Sequence, residues 1–141
     1  MIDWTNGSDQ VTPHFIVNDC LMLHSWNRLA TEADGADFNA LQTLCNKLEE
    51  IRTLLNCPIN VHCCFRSQDY NKSQNINPNA DVHSFSEACD FDCGNNLTIQ
   101  EIKDILIPQL ESLNIRLEKG TTTWVHIDLR IPGPSGRYFT P

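Results

Sequence analysis

Phe38, Leu41, Leu44, Leu48, Ile51 and Leu55 recur at spacings of three and four. That period lines one face of an α-helix and fits no strand. The chain is therefore expected to run as a helix over Phe38–Leu55, with the apolar stripe packed into a core. Pro58 follows, and a proline there stops helical hydrogen bonding. The stripe is packing, and no function is assigned to it.

The residues around this helix alternate between two periods. Residues 1–13 read as a loose lead-in, and His14-Phe15-Ile16-Val17 leads into a short helical piece over 18–23. Residues 59–65 are apolar and β-branched and read as a strand, 67–73 as one or two helical turns, and 74–82 as a loop. A short strand is expected over 88–93. Thr98-Ile99-Gln100-Glu101 has the pattern of a capping box and opens a helix to about residue 113, which Pro108 should kink. Residues 114–118 and 122–130 read as two strands joined by a Lys119-Gly120-Thr121 turn, and 131–141 as a C-terminal tail. Mixed helices and strands with a terminal hairpin predict one α+β domain over 1–141, a mainly antiparallel sheet with flanking helices.

Composition narrows the function. The chain has 141 residues, 40% hydrophobic and 20% charged, which suits one globular domain. No apolar run reaches the roughly 18–20 residues of a membrane helix, and the N-terminus has no basic start followed by an apolar run, so no signal peptide is expected. The formal net charge of −8 argues against nucleic acid and anionic membrane surfaces, which require a basic face. A monomer is expected. Seven cysteines, an odd number, argue against a disulfide framework and for free thiols.

The chemistry concentrates in three residues. His83 follows a loop, Asp90 lies seven residues on in a short strand, and His126 lies beside Trp124 in the last strand. Two histidines and a carboxylate suit a catalytic zinc ion, leaving one position for water. Spacing alone does not select this reading over separate, hydrogen-bonded histidines.

Three segments together carry more information. Cys64-Phe65-Arg66-Ser67-Gln68-Asp69-Tyr70-Asn71 precedes His83-Ser84-Phe85-Ser86-Glu87-Ala88-Cys89-Asp90-Phe91, and Trp124-Val125-His126-Ile127-Asp128 follows. In order and separation this series resembles the zinc D-Ala-D-Ala carboxypeptidase and L-Ala-D-Glu endopeptidase family of hedgehog/DD-peptidase fold, many of whose members are phage endolysins. The family pattern is an aromatic-Arg-Ser-x-x-Tyr-Asn segment, then S-x-H-x-x-G-x-A-x-D, then W-x-H. The resemblance spans about residues 14–130. It implies a hedgehog/DD-peptidase-like fold and a zinc peptidase that cuts the peptidoglycan stem peptide. His83, Asp90 and His126 match the metal ligands. Ala88 matches the small residue beside the aspartate. Arg66 matches the arginine that faces a substrate carboxylate, which a planar guanidinium meets with two parallel hydrogen bonds; its alternative is a structural ion pair. Tyr70 and Asn71 are expected to shape their loop. A lysis enzyme of this kind, without a signal peptide, needs help to cross the membrane before it reaches the cell wall.

Three positions depart from the pattern. Asp81 stands where the family has serine, and Ser86 where it has glycine. If the backbone at Ser86 needs a positive φ, serine carries a steric cost that glycine does not. Thr123 stands where many members carry a catalytic carboxylate. A general base must then come from elsewhere. Glu118 is the first candidate, provided the hairpin register turns it to the His126 face: pairing with Trp124 would do so, pairing with Thr123 would not. Asp128 is the second, or else it orients a histidine. Trp124 shares the His126 face, as a wall of the substrate site or as core.

Overall fold

The computed structural model describes residues 1–77 and 81–141. The middle of the loop expected over 74–82 therefore lies outside the described residues. A small hairpin, β1 (Gln10–Thr12) and β2 (Phe15–Ile16), leads into α1 (Val17–Leu21). A second hairpin, β3 (Met22–Leu23) with β4 (Arg28–Leu29), follows. Next come the long helix α2 (Phe38–Leu55), strand β5 (Asn60–Cys63) and helix α3 (Gln68–Ser73). A 3-10 turn over Val82–Phe85 leads into β6 (Ala88–Asp92). The chain closes with α4 (Ile99–Leu106), α5 (Leu110–Leu113), β7 (Arg116–Glu118), β8 (Val125–Asp128) and β9 (Tyr138–Phe139). Among the described residues, no helix is long and apolar enough to cross a membrane.

The α2 helix occupies the span its periodicity sets. Asp37 caps it by accepting from the Ala40 N–H, and Asn56 ends it in the left-handed conformation at φ 53°. Leu41, Leu44, Leu48, Ile51 and Leu55 are buried, and Cys45 joins them. Each large side chain so placed stabilises the fold by about 1.5–3 kcal/mol. Phe38 remains half-buried and stacks on Trp4, with ring centroids 4.7 Å apart. The later helix starts as expected: Thr98 Oγ accepts from the Glu101 N–H, and the Glu101 carboxylate accepts from the Thr98 N–H. Pro108, lacking an N–H, breaks it into α4, a 3-10 turn over Ile107–Gln109, and α5.

The main sheet has five strands in the order β5-β6-β8-β7-β9. It is mixed, because β7 and β9 run parallel while the other three pairings are antiparallel. The β6–β8 ladder sets Asp90 directly opposite His126 and Ala88 opposite Asp128. Strand β8 is buried along its length.

Four expectations change. The stretch read as lead-in contains β1, because Val11 is buried and Trp4 has Phe38 to stack on. The helix expected over 18–23 stops at Leu21, where Met22 turns extended and pairs with Leu29. The strand expected over 122–130 shrinks to β8, and the tight Lys119-Gly120-Thr121 turn becomes a wider loop. That loop is tied to α4 by Lys103, whose buried Nζ donates to the carbonyls of Lys119 (2.9 Å) and Thr121 (2.6 Å), so these carbonyls are satisfied outside a strand ladder. The tail yields β9: the N–H groups of Leu117 and Lys119 donate to the carbonyls of Arg137 (2.7 Å) and Phe139 (2.8 Å). That pairing covers a sheet edge that would otherwise stand open.

Candidate metal centre

The ladder that holds β6 against β8 also builds the site. Side chains alternate across a strand, so Ala88, Asp90 and Asp92 share one face of β6, and His126 and Asp128 share one face of β8. His83 comes from outside the sheet, on the 3-10 turn. Asp81 caps that turn, accepting from the His83 N–H at 3.1 Å. One donor atom each from His83, Asp90 and His126 can be chosen so that all lie within 4.8 Å of one another. The imidazoles meet edge to face, with centroids 5.2 Å apart.

Hydrogen bonding tells which ring nitrogens face inward. His83 Nδ1 lies 2.7 Å from the Cys64 carbonyl, which can only accept, so Nδ1 carries the proton and Nε2 points to Asp90 at 3.2 Å. His126 Nε2 faces Asp128 Oδ2 at 3.4 Å, and its Nδ1 faces Asp90 Oδ1 at 2.7 Å. Each ring therefore has one nitrogen held by an acceptor behind it and the other turned to Asp90. Outer acceptors of this kind fix the tautomer and orientation that a metal-bound imidazole needs. The donor set could hold a metal ion: two nitrogens and a carboxylate, with a cleft in front.

The electrostatics follow from burial and pairing. Burial alone would raise the Asp90 carboxyl, but hydrogen bonds from His126 and His83 hold it well below the usual carboxylate range. Burial would lower both histidines, yet His83 is raised by its bonds to Asp90 and Cys63, and His126 by its bonds to Asp128 and Asp90. Asp128 is likewise opposed by burial and brought down to about 2 by His126 and Arg116.

Around the three donors lies a cleft of about 200 Å³, lined in part by Arg66, Asp81, Glu118, Trp124 and Phe139. The β7–β8 register pairs Arg116 with Asp128 and Leu117 with Ile127. Carried one residue further, it puts Glu118 across from His126 and on its face. Neither of the two pairings weighed, with Trp124 or with Thr123, is the one formed, but His126 lies two residues from Trp124, so Glu118 takes the face that the Trp124 pairing would have given. Trp124 lies in the loop and is 37% exposed, so it walls the cleft and is no part of the core. Thr123 is exposed and lies outside the strand.

Asp128 takes its other expected place, behind His126. It is fully buried and accepts from Arg116 Nε and Nη2, both at 2.7 Å. The Arg116 guanidinium also lies over the ring of Phe139 on β9, 4.1 Å from its centroid. Arg66 pairs through Nη2 with Asp81 at 3.2 Å, and Asp81 also accepts from Asn71 Nδ2 at 2.7 Å. The ion pair considered for Arg66 is thus present, but Arg66 Nε is buried without a hydrogen-bond partner among the described residues. Ser86 has φ 61°, the positive value that a glycine would adopt without strain. Its Oγ accepts from the Asp37 N–H at 3.0 Å, which offsets part of the left-handed cost of about 1–2 kcal/mol.

Sequence reasoning missed Arg116 and Phe139. Arg116 was findable: it lies two residues before Glu118, hence on the same face. Phe139 depended on the tail joining the sheet. No protein-family model matches the chain, and neither does any curated protein or solved structure compared with it.

Proposed function

We propose that this protein is a zinc-dependent peptidase of hedgehog/DD-peptidase-like fold that hydrolyses a peptide bond of the peptidoglycan stem peptide, as a D-Ala-D-Ala carboxypeptidase or an L-Ala-D-Glu endopeptidase. The observation that carries this reading is the meeting of His83, Asp90 and His126 with Glu118 and Arg66 in one cleft. His83 through Nε2, Asp90 through its carboxylate and His126 through Nδ1 would hold the ion. When bound, zinc polarises a carbonyl and lowers the pKa of a water from about 16 to about 7.

The chain's own residues do the rest. The Glu118 carboxylate takes a proton from the attacking water and returns it to the leaving amine. Arg66, with guanidinium capacity left over from Asp81, receives a substrate carboxylate and sets which bond lies over the donors. Trp124 and Phe139 flank the cleft and limit water around it. Asp128 is spent on Arg116 and His126, so it positions His126 and leaves proton transfer to Glu118.

Incubation of the zinc-loaded protein with muropeptides, with and without chelator, tests this by mass spectrometry of the products. Chelator-sensitive loss of one terminal alanine identifies a D,D-carboxypeptidase. Release of the stem peptide after its first residue identifies an L-Ala-D-Glu endopeptidase. One bound zinc with every muropeptide intact overturns the peptidase reading in favour of a non-catalytic, zinc-stabilised module that binds cell wall or protein, the alternative that Thr123 favours.

A further inference from the structure

The cysteines are not spread evenly. Cys20 on α1 and Cys45 on α2 are both buried, and their Sγ atoms lie 3.3 Å apart. Both are free thiols. A disulfide bond is about 2.05 Å long, so the two sulfurs, one on the five-residue α1 and one on α2, stand about 1.2 Å beyond bonding distance. We propose that Cys20 and Cys45 are a covalent modification site, closing into an intramolecular disulfide when the chain meets a small-molecule disulfide oxidant.

The step balances as thiol–disulfide exchange. One cysteine thiolate attacks the oxidant's S–S bond, forming a mixed disulfide and expelling one oxidant thiolate. The second cysteine thiolate attacks the protein sulfur of that mixed disulfide and expels the other. The two protein thiols lose two electrons and two protons, and the oxidant leaves as two thiols.

Two features give the bond a consequence. The Cys20 carbonyl accepts from the Phe65 N–H at 3.1 Å, and Phe65 stands between Arg66 and Cys64, whose carbonyl holds His83. The staple would therefore brace the layer directly behind the cleft. It would also close 25 residues of sequence separation into a loop, which restricts the unfolded chain. Closure in the folded state is slow, because the contact with Cys20 and burial push the Cys45 thiol up and leave little thiolate. Folding is when the pair is open to the oxidant. Neither sulfur lines the cleft, so the proposal stands apart from the peptidase reading.

The full chain is unfolded in denaturant and refolded in a mixture of reduced and oxidised glutathione, then alkylated, digested without reductant and mapped by mass spectrometry. The expected product has lost two hydrogens, links the peptides bearing Cys20 and Cys45, and carries alkyl groups on the five remaining of its seven cysteines. Its thermal midpoint should lie roughly 5–10 °C above that of the reduced protein and return on reduction. Folded product with Cys20 and Cys45 both alkylated overturns the proposal, as does a link from either to another cysteine such as Cys64.

Discussion

Asp90 and Asp92 stand two residues apart on one face of β6, and each is hydrogen-bonded to histidine. They make different sites. Asp90 is 16% exposed and meets His83 and His126, which are 2% and 7% exposed. Asp92 is 29% exposed and meets only His62, itself 41% exposed. His62 sits at the β5 bulge, between Val61 and Cys63, with no ladder partner opposite it. Around Asp90, a third element delivers His83, and buried acceptors hold the far nitrogen of each ring. Around Asp92, the other partners are Asn60 Nδ2 and the Gly94 N–H, which close a turn. A histidine beside a carboxylate is therefore not enough for a metal centre. Convergence of three donors with their outer nitrogens already held is what separates the two.

The largest effect should come from Asp90 itself. Asp90→Ala is expected to abolish stoichiometric zinc binding and all turnover, a loss exceeding the roughly 10–100-fold that removal of an outer partner brings. Equilibrium dialysis against zinc with metal analysis reads it directly. Retention of one tightly held zinc in this variant would break the comparison at its root.

Glu118→Gln separates holding a metal from using it. Zinc content should stay at the wild-type level, and muropeptide turnover should fall about 10²–10⁴-fold. Wild-type turnover in this variant rules out Glu118 as the base.

How much of this was legible before the fold was known differs between the two halves of the site. The donors were legible through local motifs: the resemblance of three short segments to one family names His83, Asp90 and His126 without any knowledge of register, whereas their spacing alone does not. The long helix was legible locally too: its period repeats over Phe38–Leu55. What depends on pairing between distant segments was not. The loop that joins β7 to β8 is tied by Lys103, fifteen residues before Glu118, and nothing local to the turn announces that a buried ammonium holds its carbonyls. Strand β9 exists because β7 offers an open edge, a property of the sheet and not of Tyr138 or Phe139. Asp128 was left between two roles because Arg116 opposite it is known only from the register.

Asp128→Asn tests the outer partner. The Arg116 guanidinium loses its charged bidentate acceptor, and His126 loses the carboxylate behind Nε2. Zinc affinity should drop about 10–100-fold, and stability by about 3–5 kcal/mol, the usual cost of leaving a buried charge unpaired. Competition with a chromogenic chelator measures the first and denaturant unfolding of the metal-free protein the second. Unchanged affinity would mean that burial alone orients His126.

Asp92→Asn should have the smallest effect, and this is the other arm of the comparison. Its exposed pair with His62 is worth about 0–1 kcal/mol, and an asparagine keeps an oxygen for Asn60 and Gly94. Zinc affinity should remain within about twofold of wild type, since none of the three donors is touched. The sign of the pH effect is fixed by the pairing: the hydrogen bond from His62 lowers the Asp92 carboxyl from its ordinary 3.8. A depressed carboxyl adds stability that is present above that value and is lost as the pH falls below it. The variant should therefore match wild type most closely in acid and fall slightly below it near neutrality. Denaturant midpoints from about pH 3 to pH 7 would show this as two curves that converge on acidification. A large zinc deficit in this variant would join the two aspartates into one extended site and end the distinction drawn between them.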